Sequence, residues 1–206
     1  TKLDRSSNQV WTKWIDKTHY DKGVATDYDS MGNIYWISQT YDEYEPGQGN
    51  WRNRPTVVKL TSGGLSQWMK TYSYDGYEGI VGGIQVDSED KVVIGYSKWH
   101  AGWYQWDPVI MRLDTNGDRL WTKRILLDGG EGYGQGIALD DDDNVYYTSP
   151  NYNGNNNTEW TTKLDIKNGT EIWQQEMVND QRYDLESSWT WGITYSGPKI
   201  VADNEY

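Results

Sequence analysis

Apolar residues in this chain come in short runs, each bounded by turn-forming residues. Ile34-Tyr35-Trp36 follows a polar turn at 29–33, Val92-Val93-Ile94 one at 87–91, and Val145-Tyr146-Tyr147 one at 140–144. The runs have strand length and are rich in β-branched and aromatic residues, which predicts strands rather than helices. A second pattern recurs four times. Lys2-Leu3-Asp4 leads to Trp11, Lys59-Leu60-Thr61 to Trp68, Arg112-Leu113-Asp114 to Trp121, and Lys163-Leu164-Asp165 to Trp173. These tryptophans are 57, 53 and 52 residues apart. A period of that size marks a radial or solenoid repeat. Short strands and turns within each period favour a β-propeller.

Each unit holds four strand candidates, A to D from the centre outwards. Residues 2–16 supply a C and a D strand. Three full sets follow at 24–71, 82–125 and 134–177, and an A and a B strand end the chain at 190–206. This predicts an all-β, single-domain propeller over 1–206, with four blades of four antiparallel strands. The N-terminal CD pair completes the blade begun by the C-terminal AB pair. Closure of that kind removes exposed sheet edges. A piece of a larger ring, or two copies forming an eight-bladed ring, is the competing arrangement.

The Leu-Asp…Gly…Trp hairpins, and Gly136-Ile137-Ala138-Leu139-Asp140 with Asn144-Val145-Tyr146, resemble bacterial and archaeal β-propeller repeat proteins. They are also similar to the quinoprotein-like repeat, in which Asp, Gly and Trp recur four residues apart. Asp165, Gly169 and Trp173 keep that spacing, Asp114, Gly117 and Trp121 are one residue short, and Asp4 to Trp11 lacks the glycine. The resemblance spans nearly the whole chain and implies a propeller. Proteins of this kind act as enzymes, scaffolds and adhesins, so it implies little about activity.

Composition narrows the partners. The net charge is −12, which disfavours nucleic acid, whose binding rests on Lys and Arg neutralising phosphates. An anionic membrane surface is disfavoured for the same reason. No apolar run approaches the ~18 residues of a membrane span. With no cysteine, disulfides, thiolate nucleophiles and Cys-bound metals are excluded. There are 13 Trp and 17 Tyr but no Phe, a bias towards aromatics whose polar tip can meet water or a polar ligand. The start at Thr1 inside a repeat reads as a mature or excised piece of a longer product.

Trp11, Trp68, Trp121 and Trp173 recur once per unit, which argues for packing between units. Trp14, Trp36, Trp160 and Trp191 fall in predicted strands and read as packing too. The B–C loops are expected to carry another set. Tyr44 and Trp51 lie in the first, and Trp99, Trp103, Tyr104 and Trp106 in the second. The third holds Tyr152 among asparagines. Flat aromatic faces beside Asp, Asn, Gln and Arg suit stacking on sugar rings. They also suit a protein hot spot, or a lid in which the loops pack on one another. The D–A connections repeat acids: Asp75, Asp128 and Asp184 at one offset, Glu78 and Glu131 at another. Such carboxylates could ring a central channel and hold Ca²⁺, or form solvated acidic turns.

Catalysis finds little support. His19 and His100 are the only histidines, and no nucleophile motif surrounds a serine. The sequence thus points to a non-catalytic module, extracellular or on the cell surface, that recognises glycan or protein through an aromatic face. A structural bead that self-associates by strand exchange is the first alternative, and a carbohydrate-active or quinoprotein-like enzyme the second.

Overall fold

The computed structural model describes residues 1–15, 21–44, 51–73, 78–100, 105–127, 131–132, 136–153 and 156–177. These residues build an all-β arrangement of antiparallel sheets. An N-terminal hairpin pairs β1 (Lys2–Leu3) with β2 (Gln9–Trp11). Unit 1 comprises β3 (Asp21–Tyr28), β4 (Ile34–Tyr44), β5 (Trp51–Leu60) and β6 (Ser66–Thr71), paired in that order. Unit 2 comprises β7 (Glu78–Val86), β8 (Val92–His100), β9 (Gln105–Leu113) and β10 (Arg119–Arg124). In unit 3, β11 (Glu131–Gly132) and β12 (Gly136–Leu139) both pair with β13 (Val145–Asn153). Beyond β13 follow β14 (Asn156–Leu164) and β15 (Glu171–Met177). A single residue pair, Asn53 with Glu78, joins the ladders of units 1 and 2. The arrangement is compatible with a propeller. The A and B strands expected at 190–206 lie outside the described residues. Among the described residues no helix is long and apolar enough to cross a membrane.

The core lies between facing sheets. Tyr35, Ile37, Val57 and Tyr72 of unit 1 pack against Val92, Ile94, Tyr96, Val109, Met111 and Leu113 of unit 2. The other face of unit 2 presents Val93, Ile110 and Ile125 to Ile137, Val145, Tyr147, Leu164 and Ile166 of unit 3. Unit 2 is therefore buried on both faces, which is why Val92-Val93-Ile94 and Val109-Ile110-Met111 are apolar without a break. A strands of successive units also touch. The Val86 amide donates to the Asp27 carboxylate at 2.7 Å, and a Cβ at Gly83 would stand 2.9 Å from Ile137.

One turn design closes seven hairpins. The first residue (Asp4, Asp29, Thr61, Asp87, Asp114, Asp140 or Asp165) accepts backbone N–H groups of its own turn through its side chain. A residue near the end of each turn has positive φ: Ser7, Gly32, Gly64, Asp90, Gly117, Asp143 and Gly169. This is the three-residue hairpin loop whose last residue is left-handed, lengthened by one residue at 165–170. Each C–D hairpin then carries a bulge that skips one D-strand residue and sets the tryptophan opposite the motif cation. The pairs are Lys2 with Trp11, Lys59 with Trp68, Arg112 with Trp121, and Lys163 with Trp173.

Two expectations are corrected. The B–C segments expected to be loops are largely strand. The β4–β5 ladder runs out to Tyr44 opposite Trp51, β8–β9 to His100 opposite Gln105, and β13–β14 to Asn153 opposite Asn156. In the second of these hairpins Trp99 faces Trp106 across the strands, a cross-strand pair that favours continued pairing over a wide loop. Trp14, placed in a strand by its sequence context, lies outside any strand and is 88% exposed.

Candidate functional site

In all three units the B–C ladder continues past the last buried apolar residues of its strands. The residue twelve positions after the turn aspartate is aromatic in each: Tyr41 after Asp29, Trp99 after Asp87 and Tyr152 after Asp140. The turn aspartates, not the loop boundaries, carry this equivalence. Trp99 stands directly opposite Trp106, with ring centroids 5.2 Å apart and planes tilted by 59°. Trp106 rests over Gly79, where an added Cβ would lie 2.2 Å from the indole and 2.6 Å from the Ser97 hydroxyl. That glycine exists to admit the ring.

Towards the long-hairpin ends of the strands the buried residues turn polar. Going along β4 from the core, Tyr35 and Ile37 give way to Ser38, Gln39 and Thr40, all buried. In β8, Ile94 and Tyr96 give way to buried Ser97 and Lys98, and in β13 Tyr147 gives way to Thr148 and Ser149. Asp107, also buried, pairs with Arg124 at 2.5 Å. Burial pushes the Glu159 carboxyl above the ordinary range. Among the described residues the buried Thr40 and Thr148 hydroxyls and the Trp160 indole N–H have no hydrogen-bond partner.

Of the six aromatics expected to bind ligand, the structure brings Trp99 and Trp106 into contact through a described ring pair. It places the backbones of Tyr44 and Trp51 opposite each other at a hairpin end. Trp103 and Tyr104 lie outside the described residues. Asp75, Asp128 and Asp184 also lie outside them. Glu78 and Glu131 are placed by backbone only, opposite Lys98 and Tyr152. Among the described residues no group of three His, Asp or Glu side chains could hold a metal ion.

The opposite end is built of the seven turns, and here units are clasped together. The Ser30 amide and hydroxyl each donate to the Asp90 carboxylate at 2.7 Å. Ser88 grips Asp143 in the same two-point way. The hydrogen bonds from Ser30 hold the exposed Asp90 carboxyl below its ordinary value. For Asp140, burial pulls upwards, but Lys163 and Asn144 together hold the carboxyl below its ordinary value of 3.8. A carboxyl depressed in the folded state stabilises fully above its unfolded value and ceases to do so as pH falls through the folded one. Among the described carboxyls Glu159 acts in the opposite sense to Asp4, Glu89, Asp90 and Asp140. Thermal stability is therefore expected to fall as pH is lowered from about 5 to about 2. Asp140→Asn should flatten that decline in a pH series of melting curves.

A shallow cleft of about 500 Å³ lies where β6 meets the 114–118 turn, lined by Lys70, Tyr72, Gly117 and Arg119 among others. The Lys70–Asp118 ion pair at 2.7 Å and the Tyr72 hydroxyl, which donates to the Gly117 carbonyl at 2.9 Å, already occupy its polar groups. It is part of the contact between units 1 and 2.

No protein-family model and no curated protein matches the chain. Among solved structures, a protein of unknown function from Dyadobacter fermentans superposes with a TM-score of 0.57 at 10% identity, over 74% of this chain and 49% of that one. An ACO/RPE65 chimera gives 0.39 at 11% identity, over 70% of this chain and 34% of that one. An apocarotenoid oxygenase from Synechocystis gives 0.43 at 11%, over 76% and 38%. The first likeness is one of fold alone, and the other two carry no argument. The chain spans about half the length of the Dyadobacter protein and less of the other two.

Proposed function

We propose that this chain is a non-catalytic binding module, acting outside the cell or on its surface, that takes glycans at the long-hairpin end. In this reading it is a four-bladed propeller whose last blade joins residues 190–206 to the N-terminal hairpin. The observation that carries the ligand proposal is the Trp99–Trp106 pair at the end of two strands whose neighbouring residues, Ser97, Lys98 and Asp107, are buried and polar. Indole faces offer stacking area, and polar side chains offer hydrogen bonds to hydroxyls. The net charge of −12 favours neutral or basic ligands over polyanions.

A glycan array probed with the chain tests this, with Trp103→Ala as the control because that residue lies in sequence between the two paired indoles. Binding to neutral sugars that drops at least about tenfold in Trp103→Ala, the scale of one lost aromatic hot spot, supports the reading. Blank arrays across broad sugar classes overturn it in favour of a protein-binding or structural module.

A further inference from the structure

Successive units meet through one joint, built three times. The motif cation and the tryptophan of one unit both donate to the same carbonyl in the C–D turn of the next. Lys2 and Trp11 reach Ser62 at 2.9 and 3.2 Å. Lys59 and Trp68 reach Thr115 at 3.4 and 3.1 Å. Arg112 and Trp121 reach Ile166 at 3.1 and 2.8 Å. In each case the indole also covers the positive-φ glycine of that turn. A Cβ would lie 2.9 Å from Trp11 at Gly64, 3.0 Å from Trp68 at Gly117 and 2.8 Å from Trp121 at Gly169. The joint thus requires two donors, one carbonyl and the absence of a Cβ.

A fourth donor pair and a fourth acceptor turn are left over. Lys163 is held by Asp140 at 3.0 Å and lies over the Tyr146 ring, and Trp173 meets Tyr146 edge-on at 5.9 Å. Trp173 is 40% exposed, and among the described residues its indole N–H has no carbonyl acceptor. The acceptor turn is 4–8, with the same internal hydrogen bonds and an exposed surface. Its hairpin already donates to unit 1, so it takes the place of a preceding unit and turns its own acceptor side away from unit 1. Continuity with the three joints names the occupant.

We infer that Lys163 and Trp173 dock on the Arg5 carbonyl of the chain's own N-terminal hairpin, and that Ser7 makes this fourth joint the weak seam of the ring. Ser7 holds the glycine position at φ 63° but carries the Cβ that the other three joints exclude. The indole must therefore sit displaced. This rests on the closed ring proposed above and adds the contact that closes it.

The test is a cycle of Ser7→Gly, Trp173→Ala and the double variant, read by melting temperature and sedimentation. Ser7→Gly is expected to raise the melting temperature by about 3–6 °C when Trp173 is present, and by no more than half of that in the Trp173→Ala background. Relief of the left-handed serine alone acts equally in both backgrounds. Equal rises therefore overturn the joint. A difference that appears only in dimers at high concentration overturns it in favour of a second copy as occupant. Trp173 is partly exposed, so its removal leaves a folded protein to measure. The array result stands apart: glycan binding without coupling sinks the joint alone, and coupling with a blank array sinks the ligand reading alone.

Discussion

Arg112→Met is expected to destabilise the protein by about 3–5 kcal/mol, the cost of stripping one partner from a buried ion pair. Arg112 is 4% exposed. Its Nε donates to the Asp87 carboxylate at 2.9 Å, a second nitrogen reaches the same oxygen at 2.5 Å, and the third reaches the Ile166 carbonyl at 3.1 Å. Without the guanidinium, Asp87 keeps only its turn amides, from Glu89 and Lys91, and holds a charge that water cannot reach. The joint to unit 3 loses one donor at the same time. Arg112→Lys should cost less than half as much, because units 1 and 3 use Lys59 and Lys163 at this position, each paired with its turn aspartate. Asp87→Asn added to Arg112→Met should recover part of the loss, since the buried charge goes with it. By contrast, Lys70→Ala removes an ion pair whose members are 37% and 72% exposed, and should cost no more than about 1 kcal/mol. Urea unfolding midpoints order the four variants. Equal losses for Arg112→Met and Lys70→Ala would contradict the account.

Much of this was legible in the sequence. The recurring cation-Leu-Asp…Trp motif marked the units, and the aspartates marked the turns. The constant spacing from cation to tryptophan is that of cross-strand partners, lengthened by one residue where the 165–170 turn is longer. Packing by the repeated tryptophans was also readable from their recurrence. Their target was not. A carbonyl is the same atom at every residue, so no side chain announces that Ser62, Thr115 and Ile166 are receptors. The hairpin ends do not read as strand because Asp42, Glu43, Arg52 and Asn53 break the apolar alternation on which strand recognition depends. Backbone pairing continues there regardless of side-chain polarity. Nor could sequence show that the polar residues Ser38 to Thr40, Ser97 and Lys98 are buried, because burial of polar groups is set by the facing sheet.

Gly169→Ala carries the second large effect, expected at about 3 kcal/mol. Two costs combine. A Cβ in the left-handed region costs roughly 1 kcal/mol. Overpacking a filled contact adds about 1–3 kcal/mol. The new methyl would stand 2.8 and 3.1 Å from the Trp121 ring, whose Nε1 is fixed to the Ile166 carbonyl at 2.8 Å. The indole cannot retreat and keep that bond. At Gly32, also at positive φ but with only the Ser62 Cβ at 3.7 Å, alanine should incur the backbone cost alone.

Neighbouring units are joined by an indole seated on the next unit's turn. A double-mutant cycle between Gly169 and Trp121 reads that contact most directly. Seated as described, the ring is the obstacle, and Trp121→Ala removes it. Gly169→Ala then costs at least about 1 kcal/mol less in the Trp121→Ala background than in the protein that keeps Trp121. Additive losses, within about 0.5 kcal/mol, would mean that the ring does not rest on the turn.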